Sequence, residues 1–235
     1  MDNSELDDIL TAVREFVREK VVPLETQVED EDAFPDAIIK ESAEMGLFGW
    51  ALPEQYGGLG LNAEQDALLA MELGYTTPSF RSLFGTNNGI AGQVLVNYGT
   101  DDQKSEWLPR LASGEVVASF ALTESEAGSD PSGLRTKAVR DGDDYIINGS
   151  KRFITNAEAS DVLIVFARTD PNATGSKGIS VFLVPTKSEG VTVGPHDHKM
   201  GQAGAWTSEI FFDDVRVPAA NLIGGEEEKG FYAAM

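Results

Sequence analysis

Apolar positions along the first hundred residues recur at helical spacing. Ile9, Val13, Phe16 and Val17 fall on one stripe, with Lys20 next at the same spacing, and Ser4 with Asp7 forms a capping-box-like start. Pro23 marks the stop of that helix. Pro35 suits the first turn of a second, which Gly46 closes. A loop rich in turn formers, residues 53–60, leads to a helix predicted over 63–73. Two more are predicted around 89–98 and 101–111. The latter opens on Asp101 and Asp102, whose charge suits the positive end of a helix dipole.

Past Gly114 the period changes. Residues 116–122, 145–148, 162–166, 179–184 and 209–212 are short runs rich in β-branched and aromatic side chains. Turn signals such as Asp141-Gly142-Asp143 and Asn148-Gly149 separate them. Short strands at this spacing predict a β-sandwich or barrel. The expected fold is therefore α+β, with an N-terminal helical domain over 1–114 and a β-sandwich or barrel-like middle domain over 115–224. Residues 225–235 read as the start of a further helix. No internal repeat or low-complexity tract interrupts this order.

Charge narrows the function classes. Thirty-nine acidic residues against eighteen basic ones give a formal charge of −21. Such a field repels phosphate backbones and anionic lipid, which argues against nucleic-acid and membrane-surface roles. The acids are spread along the chain; a solvated surface explains them, and so does life in high salt, where screening weakens self-repulsion. No run approaches the length of a membrane span, the N-terminus has neither a basic nor an apolar leader, and cysteine is absent. A cytoplasmic compartment is expected.

Dinucleotide-binding GxGxxG, P-loop and HExxH patterns are missing from the required contexts. The two histidines, His196 and His198, flank Asp197 in a loop without a third ligand cluster, which reads as a solvated loop, not a metal site. The least ordinary segment is Phe120-Ala121-Leu122-Thr123-Glu124-Ser125-Glu126-Ala127-Gly128-Ser129-Asp130. There an apolar strand runs into a hydroxyl, two acids and a small-residue turn. Thr123 at the strand end suits a planar ligand, and Gly128 and Ser129 allow backbone to approach an anionic group. A plain strand followed by a Ser-rich turn accounts for the same residues. Lys151-Arg152-Phe153-Ile154-Thr155-Asn156 has a similar form.

Taken together, these segments resemble the flavin-dependent acyl-CoA dehydrogenases. Residues 118–133 resemble the family's signature and 148–156 its second flavin segment. Residues 53–60 are similar to its N-terminal loop, 108–115 to the approach to its sheet, and 213–218 to the exit into its final domain. The resemblance implies a helical domain, a β-domain and a C-terminal four-helix bundle, with FAD held between β-domain and bundle in a homotetramer. Carried over, Phe120, Ala121, Leu122, Thr123, Gly128 and Ser129 line the flavin, with the Leu122 backbone and Thr123 hydroxyl toward its pyrimidine side. Phe153 covers the ring, followed by Ile154, and Thr155 lies near its N5 edge. Ser129 also faces the acyl-CoA. Where the family often has tryptophan or tyrosine, Phe153 keeps the stacking surface without the polar donor.

The implied reaction is α,β-dehydrogenation of an acyl-CoA thioester to a trans-2-enoyl-CoA, as in fatty-acid β-oxidation, with electrons passed to an electron-transfer flavoprotein. The family's base is a glutamate of the C-terminal bundle; Glu124 and Glu126 do not match it. The expectation is thus a fragment or split part without a catalytic residue, silent alone. A non-catalytic acyl-CoA- or flavin-binding subunit and part of an acyl-CoA oxidase are the alternatives. Phe80-Arg81-Ser82 resembles the Tyr-Arg-Ser of glutaryl-CoA dehydrogenases, which implies that Arg81 binds a distal substrate carboxylate; a helix-start arginine paired to a surface acid is the plainer reading.

Overall fold

A computed structural model describes residues 3–235 of the chain; Met1 and Asp2, where the expected helical domain opens, lie outside them. Helix α1 (Asn3–Phe16) already includes Ser4, one position ahead of the cap expected there. Pro23 does not stop the helical path. It sits early in a 3₁₀ turn (Val22–Leu24), where its missing N–H costs nothing, and the chain runs on into α2 (Glu25–Glu31). Pro35 precedes α3 (Asp36–Glu44) and does not enter its first turn. Two helices open on reciprocal capping boxes: α4 (Ala63–Leu73) through Asn62 and Gln65, and, further along, residues 101–112 through Thr100 and Gln103.

Between these lie α5 (Pro78–Gly85), which the periodicity did not predict, a π turn (Thr86–Ile90) and α6 (Ala91–Tyr98); α7 is Asp101–Ala112. The α1 stripe buries Val13, Phe16 and Val17 in one core with Trp50, Phe80 and Phe84. Outside that core, Arg14 donates two hydrogen bonds to Glu72 of α4 at 2.5 and 3.0 Å.

Seven strands follow: β1 (Ala118–Ala121), β2 (Lys137–Asp141), β3 (Asp144–Thr155), β4 (Val162–Arg168), β5 (Ile179–Pro185), β6 (Val191–Val193) and β7 (Thr207–Pro218). They form a single mixed sheet in the order β1-β4-β2-β3-β7-β6, with β5 also paired to β4. Of the two alternatives, the barrel-like one is realised, as a curled half-barrel. β4 and β5 are buried almost throughout, so they read as unbroken apolar runs. β3 and β7 alternate buried and exposed positions and are twelve residues each, far longer than the four-residue runs predicted within them. β2 and β6 carry too little apolar signal to have been predicted. A short α8 (Gly230–Ala234) packs on β5 and α6.

The two halves are locked together by the π turn. Asn87 donates to the carbonyls of Leu111 (3.1 Å) and Val116 (2.8 Å) and accepts from the Ala118 amide that opens β1 (2.8 Å). Asn88 donates to Leu47 and Phe84 and accepts from Ala51. The wider turn swings the Asn87 carbonyl against Gly92, where a Cβ would meet it at 1.8 Å. Only glycine fits that position.

Candidate functional site

The end of β1 and the far end of β3 meet. Arg152 N–H donates to the Thr123 carbonyl at 2.9 Å, Lys151 Nζ to the Leu122 carbonyl at 3.1 Å, and Ser119 Oγ to the Thr155 carbonyl at 2.8 Å. Thus the two segments singled out in the sequence form one surface. β3 is irregular there. Lys151 pairs with Ile210 and Ile154 with Ser208, so two residues of β3 oppose one of β7. Such a bulge bends the strand and re-aims a side chain.

Phe153 is the residue re-aimed. Its φ is +59°, an uncommon conformation for a bulky side chain, and its ring is 60% exposed. The Arg152 guanidinium lies 4.5 Å from the ring centroid and is itself held by Asp197 at 2.7 and 3.3 Å. The bond from Arg152, helped by one from Thr207 and opposed by partial burial, holds the Asp197 carboxyl below its ordinary range. An exposed aromatic at positive φ, with a held guanidinium beside it, can offer a flat ligand a stacking surface.

The remaining candidates divide by orientation. Ala121 and Ile154 are buried in the core inside the sheet, so only their backbone can face a ligand. Phe120 packs on Phe166 at 4.8 Å and forms one wall of a cavity of about 550 Å³ shared with Gln93, Tyr98, Tyr232 and Met235. Leu122, Thr123 and Thr155 are half-buried at the strand ends. Gly128 and Ser129 follow a tight hairpin in which Glu124 and Ala127 exchange both backbone bonds, and nothing stands within 4 Å of where a Gly128 Cβ would be. A planar ring against Phe153 with an anionic tail near that open turn fits these residues.

Arg81 lies on α5, exposed, over the Trp50 ring at 6.0 Å and without an ion pair among the described residues. Its helix is tied to the site by Asn156, whose Nδ2 donates to the Ser82 carbonyl (2.8 Å), the Leu83 carbonyl (3.3 Å) and Thr86 Oγ1 (3.2 Å). His196 stacks on Trp206 with centroids 5.0 Å apart and bonds to Glu158 at 2.8 Å. Among the described residues no three side chains are grouped to hold a metal.

Sequence reasoning missed a buried ion pair under the site. Lys151 is fully enclosed and bonds to Glu124 at 2.8 Å. Glu124 also accepts from the amides of Arg135 (2.6 Å) and Thr136 (2.9 Å). Burial pushes the Glu124 carboxyl up, but the Lys151 charge and these donors outweigh it and the net shift is downward. Complete burial depresses Lys151 to about 8 despite its partner. The signal was available: Tyr145, Ile147 and Lys151 share the inward phase of β3, and an inward lysine requires a partner.

Comparison with known proteins identifies the family. The family model for the acyl-CoA dehydrogenase N-terminal domain matches residues 3–115, and that for the acyl-CoA dehydrogenase middle domain matches 119–215. An acyl-CoA dehydrogenase of Bacillus subtilis (strain 168) is 39% identical over 223 residues, covering 95% of this chain and 58% of that protein. The crystal structure of an acyl-CoA dehydrogenase from Geobacillus kaustophilus superposes with a TM-score of 0.91 at 36% identity, over 99% of this chain and 61% of the other. A glutaryl-CoA dehydrogenase from Mycobacterium smegmatis in complex with FADH2 gives 0.88 at 37% identity, over 98% and 58%. The chain belongs to the acyl-CoA dehydrogenase family, whose members are FAD-dependent oxidoreductases. It spans somewhat more than half the length of these relatives.

Proposed function

We propose that this chain forms the flavin- and thioester-facing part of an FAD-dependent acyl-CoA dehydrogenase. The observation that carries the reading is the strained, exposed Phe153 ring beside the Thr123 strand end. Phe153 would stack on the flavin, the Thr123 and Thr155 hydroxyls and the Leu122 backbone would hydrogen-bond its edges, and Gly128 with Ser129 would admit the pyrophosphate. Each neutral bond contributes about 1 kcal/mol, so affinity is spread over many contacts. Bound here, FAD would supply the acceptor for the hydride of the substrate β-carbon. The chain's own part is to orient the thioester, with Ser129 beside it, and to exclude water.

Removal of the α-proton needs a free carboxylate. Glu124 is unsuited: both of its oxygens are engaged by Lys151 and two backbone amides. On this reading the base comes from outside this surface, and the 235 residues alone should not turn over octanoyl-CoA with an artificial electron acceptor. Turnover would overturn that placement. Peroxide formation by a complete enzyme would mark an oxidase, and tight acyl-CoA binding without any turnover by a complete assembly would mark a binding subunit. An electron-transfer flavoprotein partner, a tetrameric assembly and a cytoplasmic location belong to the same proposal. No helix among the described residues is long and apolar enough to cross a membrane.

Adding FAD to the chain and recording its visible spectrum after gel filtration tests the cofactor reading. Retained flavin bands are expected, with Phe153→Ala weakening binding about tenfold, equivalent to about 1.4 kcal/mol. A colourless wild-type protein would remove it. A second reading concerns substrate: Arg81, exposed and without an ion pair among the described residues, lies on a helix tied to the same strand end and suits a dicarboxylyl-CoA.

A further inference from the structure

We propose that Lys151 is a positioning residue for the cofactor segment, acting through a buried clamp it forms with Glu124. This rests on the cofactor reading above. The chain at Leu122, Thr123 and Glu124 leaves the ladder of β1 just where ligand contacts are needed, so regular strand pairing no longer fixes it. Three sets of bonds replace the ladder. Lys151 Nζ reaches the Leu122 carbonyl and Glu124 Oε1, and the Arg152 amide reaches the Thr123 carbonyl between them. From the other side the Arg135 and Thr136 amides close on the Glu124 carboxylate. Three successive residues are thereby held from two directions, with one charge pair at the centre.

Stability alone is a poor reason for such a pair. Taking an ammonium and a carboxylate out of water costs more than their attraction commonly returns, and apolar replacements are often as stable. What a methionine cannot do is hold the Leu122 carbonyl and Glu124 in one geometry. The same lysine precedes the bulge that turns Phe153 outward, so one side chain relates both walls of the site: the strand end with Thr123 and the platform ring. Orientation is where a small displacement is costly.

Lys151→Met tests this, with Val217→Ala, a buried change at the far end of β7, as a control for general loss of stability. In Lys151→Met the amides of Arg135, Thr136 and Arg152 should exchange hydrogen about tenfold faster or more relative to the β4–β5 ladder. The FAD dissociation constant should rise by about tenfold. Val217→Ala should lower the melting temperature without either change, and Lys151→Gln, which keeps a donor, should recover part of the FAD affinity. Unaltered exchange at those three amides, or FAD affinity equal to that of wild type, would overturn the proposal. If the wild-type chain binds no FAD, the cofactor reading fails on its own, and the exchange rates still decide whether Lys151 holds the segment.

Discussion

Asn156 offers a measurable handle on how the helical half is coupled to the site. It is 6% exposed, has φ of +61°, and its amide group donates to the carbonyls of Ser82 and Leu83 and to Thr86 Oγ1. Those carbonyls lie on α5 just before the π turn, where hydrogen-bond spacing lengthens from four residues to five, as in the Ala91 amide bonding to the Thr86 carbonyl. Asn156→Ala removes about two effective hydrogen bonds at about 1 kcal/mol each, and leaves buried acceptors unpaired. It also places a Cβ residue without a local polar contact in the left-handed region, for about 1 kcal/mol more. The sum is about 3 kcal/mol, which for a chain of this size lowers the melting temperature by about 6–12 °C. Asn156→Gly loses the same bonds without the backbone cost and should fall about 1 kcal/mol short of the alanine loss. Asn156→Asp keeps the backbone preference but aims acceptors at carbonyls, so at neutral pH it should be worse than alanine and improve on acidification. Urea titration followed by tryptophan fluorescence measures all three. An alanine variant as stable as wild type, or more stable than the glycine one, would refute the reasoning.

Three other outcomes are expected. Because Lys151 is held at about 8 when folded, against 10.5 for the free side chain, the unfolded chain binds more protons between those values, and stability should rise with pH across that window by up to about 3 kcal/mol. Tyr145 runs the opposite way. Burial first, then its bond to Glu227, pushes the phenol to about 12 from 10, so the stability it contributes is complete below pH 10 and is lost as pH climbs toward 12. Urea melts from pH 7 to 12 should show a maximum near pH 10 in the wild type, and a Lys151→Met variant that keeps the rising limb would exclude the lysine as its source. With a formal charge of −21, the melting temperature should rise in molar KCl, where the screening length shrinks to about 3 Å; a salt-insensitive melt would exclude self-repulsion as a destabilising term. In a complete enzyme, Arg81→Ala should impair glutaryl-CoA turnover far more than butyryl-CoA turnover, and equal losses would end the dicarboxylyl reading.

What could be read from the sequence follows from where each signal is local. The helices at 63–73 and 101–112, the α1 stripe and the apolar runs of β4 and β5 are set by nearest neighbours in the chain, so period and composition report them, although the capping boxes at Asn62–Gln65 and Thr100–Gln103 went unread. β3 and β7 were recognised only in part because their outward positions are polar and each is broken by a bulge, which resets the alternation. The π turn was invisible for a related reason. Its sequence, Thr86-Asn87-Asn88-Gly89-Ile90, is full of residues that favour turns, and only their long-range bonds to Leu47, Leu111 and Ala118 make a continuous helical path the better solution.

The candidate site shows the same division at closer range. Thr123, Gly128 and Phe153 are noticeable one by one, as a hydroxyl at a strand end, an open turn and an aromatic among charges. None of them individually distinguishes a ligand surface from an ordinary strand end. What joins them is the pairing of Leu122–Glu124 with Lys151 and Arg152 across nearly thirty residues of sequence, beside the bulge that holds Phe153 at positive φ. Phe34, by contrast, packs on Phe80 at 5.6 Å and is buried. A bulky residue held at positive φ with its ring in solvent gains neither core burial nor relaxed backbone. Its φ belongs to the bulge between Lys151 and Ile154, and the bonding of the two strand ends, more than the motif around them, sets residues 120–129 beside 151–155.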